Sequence, residues 1–167
     1  MKKHLIIFYI ASLVWGVPLM AQSLISANDL DPEQITSIKD HGGVKIVARS
    51  DKNVTIEVMD IPREAPDGSL FNNRIKLNGA GSVDYRSLIF TVSQKGLLTV
   101  YCNSSSKTDS RILLLGNTSD GSVITEITAE PDTGTKAGMT QVELSSGGTF
   151  ALFSKSGGIN IYQLAWK

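Results

Sequence analysis

Residues 74–90 read RIKLNGAGSVDYRSLIF, a Gly-x-Gly between two apolar runs with Arg74, Lys76 and Arg86 on its flanks. Three kinds of chemistry share that look: a cradle for phosphate, a cationic edge for a sugar chain, and a plain turn between strands. A phosphate cradle needs its glycines to follow a strand and open a helix whose free N–H groups face the ligand. Gly79-Ala80-Gly81 is followed instead by YRSLIFTV, another β-type run, with neither a third glycine nor a Gly-Lys-Ser/Thr. The phosphate reading fails. What remains is an irregular connection where glycine relieves the backbone.

Other reactive groups are sparse. Beyond residue 21 the chain holds one histidine, His41, set before Gly42-Gly43 in a turn, and one cysteine, Cys102. Together they cannot make a zinc site of the usual kind. A histidine-based triad would have to use His41, and no nucleophile stands out by its context. No pair of carboxylates marks itself for glycoside hydrolysis. Asp29-Leu30-Asp31 offers two hard oxygens that suit structural calcium, or equally a solvated turn with a helix cap. No other metal and no cofactor is expected. Cys102 alternates with Leu98 and Val100 in LLTVYC, which predicts a buried, inert thiol and excludes an internal disulfide.

The elements that must position any site are β-type. No amphipathic helical stretch reaches ten residues; the helix signal is one turn, with Asp31 as cap, Pro32 first, then Glu33 and Gln34. Runs of strand character are VKIVA (44–48), VTIEVM (54–59), RIKL (74–77), SLIFTV (87–92), LLTVYC (97–102), RILLLG (111–116), SVITEIT (122–128), TQVEL (140–144), TFALFS (149–154) and INIYQLAW (159–166). Turns rich in Gly, Asp, Asn and Ser separate them. About ten strands in one domain predict an all-β, two-sheet jelly-roll sandwich. Alternation places Ile75, Leu77, Leu88, Phe90, Leu98, Val100, Ile159 and Ile161 inside, with Arg74 and Lys76 sharing the opposite face. RILLLG has no polar side, so it reads as a central strand covered on both faces, with Ile112 and Leu114 buried.

Residues 1–21 begin with Lys2 and Lys3, continue with an apolar run from Leu5 to Val14, and end in small residues up to Ala21. That is the layout of a cleaved signal peptide, too short in its apolar part to span a bilayer. The expectation is therefore a secreted or periplasmic protein, with 22–167 as a single domain. Its 14 basic and 16 acidic residues give no reason to expect nucleic acid or membrane insertion.

The order SDKNVTIE … FNNRIKLNGAGSVDYRSLIFTVSQKGLLTVYCNSSSKTDSRILLL … SGGINIYQL resembles the β-sandwich accessory domain attached to secreted bacterial pectate lyases and related polysaccharide-degrading enzymes. In that family a basic strand ending in Leu-Gly-Gly-x-Gly is followed by Tyr-Arg, a further strand, Ser-x-x-Arg, and finally Ser-Gly-Ile-Asn-Ile-Tyr. The matching residues here are Arg74, Lys76, Tyr85, Arg86 and Arg111, then Ser156, Gly158, Ile159, Asn160, Ile161 and Tyr162. Asn73 and Asn78 depart from the family's Lys and Gly, and no catalytic domain accompanies the match. The resemblance implies a jelly roll that is no enzyme and binds polysaccharide, with Arg74, Lys76, Tyr85, Arg86, Arg111, Asn160 and Tyr162 as the candidate ligand residues. A pectin-like acidic chain would suit the guanidinium groups, which hold carboxylates bidentately. Each candidate also has a structural reading. Arg86 and Arg111 can serve backbone carbonyls or pair with Asp84 and Asp109. Asn160 inside a strand needs a partner for its amide, from a ligand or a neighbouring loop. Trp166 can be a platform or a plug at the core's edge. The alternative function is a structural or protein-interaction domain with an extracellular protein partner.

Overall fold

The computed structural model describes residues 22–167; the expected signal peptide at 1–21 lies outside the described residues. Thirteen strands run in order: β1 (Gln22–Ser26), β2 (Glu33–Ile35), β3 (Lys39–His41), β4 (Val44–Val47), β5 (Val54–Glu64), β6 (Leu70–Leu77), β7 (Ser87–Val92), β8 (Gly96–Ser104), β9 (Arg111–Asn117), β10 (Val123–Ala129), β11 (Gly138–Leu144), β12 (Gly148–Ser154) and β13 (Ile159–Trp166). All pair antiparallel, in two sheets. One is ordered β11-β8-β13-β6-β5-β2, with β1 beside the C-terminal half of β13; the other is β10-β9-β12-β7-β4-β3. The two-sheet jelly roll read from the sequence is the fold.

Alternation builds the core between the sheets. Leu88, Phe90 and Val92 on β7 meet Ile75 and Leu77 on β6, Leu98 and Val100 on β8, and Ile159, Ile161 and Leu164 on β13. Cys102 lies in the same core, and burial pushes its thiol up to about 12. A smaller cluster of Met59, Phe71, Tyr101, Ala137, Tyr162 and Ala165 sits on the opposite, outer face of the seven-stranded sheet. There Phe71 stacks on Tyr162 at 5.4 Å.

Three expectations are corrected. The helical turn at Asp31–Gln34 is absent: Glu33–Ile35 is strand β2, paired with Ile56, Thr55 and Val54, and Ile35 is fully buried. A lone turn bears the cost of nucleation with nothing to propagate, whereas pairing beside β5 satisfies the backbone and buries Ile35. The helical turn that does form is a 3-10 turn at Ala27–Asp29, capped by the Ser26 side chain. On β9 the parity is reversed. Leu113 and Leu115 are fully buried while Ile112 and Leu114 are half-exposed, because the outer face of the six-stranded sheet is only partly covered there by the described residues. Finally, β1–β3 raise the strand count from about ten to thirteen; they are short and mostly polar.

Candidate functional site

The outer face of the seven-stranded sheet carries a built polar network. Strand register sets Thr55 on β5, Lys76 on β6, Asn160 on β13 and Asn103 on β8 in one row, with Glu57 opposite Arg74. Arg74 donates from Nε and Nη2 to Glu57 Oε2 at 2.8 and 2.6 Å, and Lys76 Nζ lies 3.5 Å from Glu57 Oε1. Burial works against the charge on Glu57. Hydrogen bonds from Arg74 and Thr55, and the nearby positive charges of Arg74 and Lys76, outweigh it and hold the carboxyl below its ordinary value.

A second carboxylate anchors the network from above. Asp132, in the β10–β11 connection, is almost buried and accepts Arg63 Nε at 2.6 Å and Nη2 at 3.1 Å, a bidentate pair. It also accepts the Gly134 N–H at 3.0 Å and Asn160 Nδ2 at 3.3 Å. So the loop does satisfy the Asn160 amide nitrogen, through a side chain rather than backbone. The Arg63 guanidinium is held more firmly protonated by its bond to Asp132, partly against burial. Arg74 Nη1 points toward the same carboxylate at 3.8 Å, too far for a hydrogen bond. Below this layer Asn160 Oδ1 and the Tyr162 hydroxyl are buried without partners among the described residues. Burial, and secondarily the Asp132 charge, pushes the Tyr162 phenol up.

The Arg63–Asp132 pair sits in an open cleft of about 680 Å³ lined by Val58, Met59, Asp60, Ile61, Arg63, Arg74, Ser105, Lys107, Asp132, Thr133 and Gly134. One wall is a bulge. Between Val58, opposite Asn73, and Arg63, opposite Phe71, β5 advances five residues where β6 advances two. Bulges re-aim side chains. This one turns Arg63 to the floor and leaves Val58 and Ile61 62% and 55% exposed.

The remaining candidates lie elsewhere. Arg86, at φ +50°, donates to the carbonyls of Asn53 at 3.3 Å and Ala80 at 3.5 Å. Gly79 takes φ +140°, and a Cβ on Gly81 would stand 2.5 Å from the Arg86 carbonyl, which is why that stretch needs glycine. Beside it, Tyr85 carries the Arg49 guanidinium over its ring at 4.7 Å. Arg111 Nη1 donates to Ser105 Oγ at 2.7 Å and to the Gly158 carbonyl at 2.5 Å. Both arginines thus bond backbone carbonyls, and neither forms an ion pair with Asp84 or Asp109. Trp166 is half-buried against the core with its ring over Gly96, a plug at the core's edge. Of the seven candidates, Arg74, Lys76, Asn160 and Tyr162 share the outer face of one sheet, and only Arg74 lines the cleft. Sequence reasoning missed Glu57, Arg63, Lys107 and Asp132. Pro62, three residues past the VTIEVM run and inside β5 in the structure, was the available signal, since proline within a sheet marks an edge or a bulge.

No family model matches the chain, and no curated protein matches it significantly. Among solved structures it is similar to a family 6 carbohydrate-binding module at 9% identity and TM-score 0.47, covering 88% of this chain and 94% of that one. A module from Cellvibrio mixtus lichenase 5A in complex with cellotriose gives 14% and 0.46, covering 81% and 95%. A module from Clostridium perfringens in complex with methyl-galactose gives 9% and 0.44, covering 86% and 99%.

Proposed function

We propose that the protein is a secreted, non-catalytic carbohydrate-binding module that holds a pectin-like acidic polysaccharide in the cleft beside the β5 bulge. The observation that carries this reading is the mixed chemistry of the cleft. Arg74 Nη1 makes no hydrogen bond and has only the longer 3.8 Å ionic contact with Asp132, Lys107 stands on the rim without an ion pair among the described residues, and the floor is a fixed ion pair. Ligand pockets combine apolar walls with a few placed polar groups in this way. The resemblance to pectate lyase accessory domains supports the same class of ligand.

Lys76 has a smaller part than its sequence position suggests, because Glu57 occupies both it and one edge of Arg74. A carboxylate would therefore meet Nη1 and the Lys107 ammonium in partly solvated surroundings, where such contacts contribute little and salt screens them. None of the residues lining the cleft is aromatic, so no ring stacks on a sugar face and affinity is low.

The test is a glycan array with residues 22–167, followed by calorimetry at two salt concentrations with the wild type and Arg74→Gln. Binding to uronic-acid oligomers that weakens with salt and with Arg74→Gln is expected. If no glycan binds, the domain is a structural or protein-interaction module. That second reading is favoured by the exposed Val58, Ile61 and Leu70 on the β5–β6 hairpin.

A further inference from the structure

The wall of the cleft and its floor ask for different things. The floor is ionic, with Arg63 and Asp132 paired and almost buried. The wall is aliphatic, with Val58 and Ile61 held out to solvent by three extra residues in β5. Exposed branched side chains on a protrusion are ordinary when they stand alone. These two line the same cleft as Arg74 and Lys107, and the Ile61 end of the bulge is fixed from two sides. Pro62 restricts the backbone angle after Ile61. From below, Arg63 donates Nη1 to the Ile61 carbonyl, and Asp132 grips the rest of the guanidinium. The apolar wall is thus preorganised rather than loose, and a rigid wall loses less on binding.

Its shape restricts what it can hold. A flat aromatic ring covers the C–H face of a pyranose, and such a ring is missing from this lining. Val58 and Ile61 offer exposed aliphatic surface instead, which gains by covering a small apolar group on a ligand, such as a methyl.

Resting on the carbohydrate-binding reading, we infer that Val58 and Ile61 make this cleft selective for acidic sugar chains that bear methyl groups, with the carboxylate at Arg74 and Lys107 and the methyl against the bulge. Two sources carry that chemistry: O-acetyl esters on a uronic-acid chain, and 6-deoxy sugars alternating with uronic acids.

The experiment measures affinity of residues 22–167 for three probes: an O-acetylated oligogalacturonate free of methyl esters, the same sample after deacetylation, and an oligomer alternating uronate with 6-deoxyhexose. Burying one methyl group corresponds to about three- to tenfold. One or both methyl-bearing probes should exceed the deacetylated chain by that factor, and which one does so identifies the source. In Val58→Ser/Ile61→Ser the ratio should collapse toward one. The pair is exposed, so the variant should fold, checked by an unchanged melting temperature. Equal affinities for all three, with binding still lost in Arg74→Gln, overturn the selectivity and leave the carbohydrate reading standing. No binding of any probe overturns both. A preference that persists in the double-serine variant assigns selectivity to other residues and also overturns the inference.

Discussion

Replacing Asp132 by Ala should be the most damaging single change on the outer face. The Arg63 side chain is only 10% exposed and both of its contacts to Asp132 are lost together. Asn160 Nδ2 and the Gly134 N–H lose their acceptor in the same step. Breaking one partner out of a buried pair leaves an uncompensated charge and costs about 3–5 kcal/mol. For a domain of this size that corresponds to a fall in melting temperature on the order of 10 °C. Urea denaturation of Asp132→Ala, of Arg63→Met and of the double variant Arg63→Met/Asp132→Leu separates the causes. The double variant should be clearly more stable than Asp132→Ala, because it removes the stranded charge with its partner. A loss below about 1 kcal/mol in Asp132→Ala would refute the buried-pair account, since only solvated pairs are that cheap. So would a double variant less stable than the single.

Leu115→Ala should cost about 2–5 kcal/mol in chemical denaturation, and Leu114→Ala much less, because only Leu115 points into the core. Cys102 should label slowly with a thiol reagent in the native state and quickly in denaturant, since burial keeps it as the thiol. Glu57 has a folded value below its reference of 4.5, so the stability it contributes is complete above that pH and is lost as acid protonates the folded carboxylate. Melting curves recorded from pH 6 down to 3 should therefore fall less steeply for Glu57→Gln than for the wild type.

The sandwich was legible because its long strands alternate or run apolar between strong turns; SLIFTV and INIYQLAW match β7 and β13 residue for residue. The strands that were not legible are held by their neighbours. Lys39-Asp40-His41 has no strand character of its own, and Glu33-Gln34-Ile35 forms one because β5 lies beside it. Parity within RILLLG was undecidable from four consecutive apolar residues. The site was half legible. Arg74, Lys76 and Asn160 follow from alternation within single strands. Arg63 and Asp132 are 69 positions apart, and their meeting depends on a bulge and on a loop folded over the sheet, neither of which a local pattern encodes. Arg86 and Arg111 carried a structural reading beside the ligand one, since a guanidinium that serves backbone carbonyls and one that serves a sugar acid are the same residue in sequence.

The most direct measurement is the backbone amide NMR spectrum of residues 22–167, titrated with oligogalacturonate. Saturable shifts should concentrate at Ser105, Lys107, Thr133, Gly134 and the Val58–Arg63 bulge, and should weaken as salt is added. Shifts centred instead on the Tyr85–Arg86 connection, or no shifts at millimolar ligand, would contradict a carbohydrate site in this cleft.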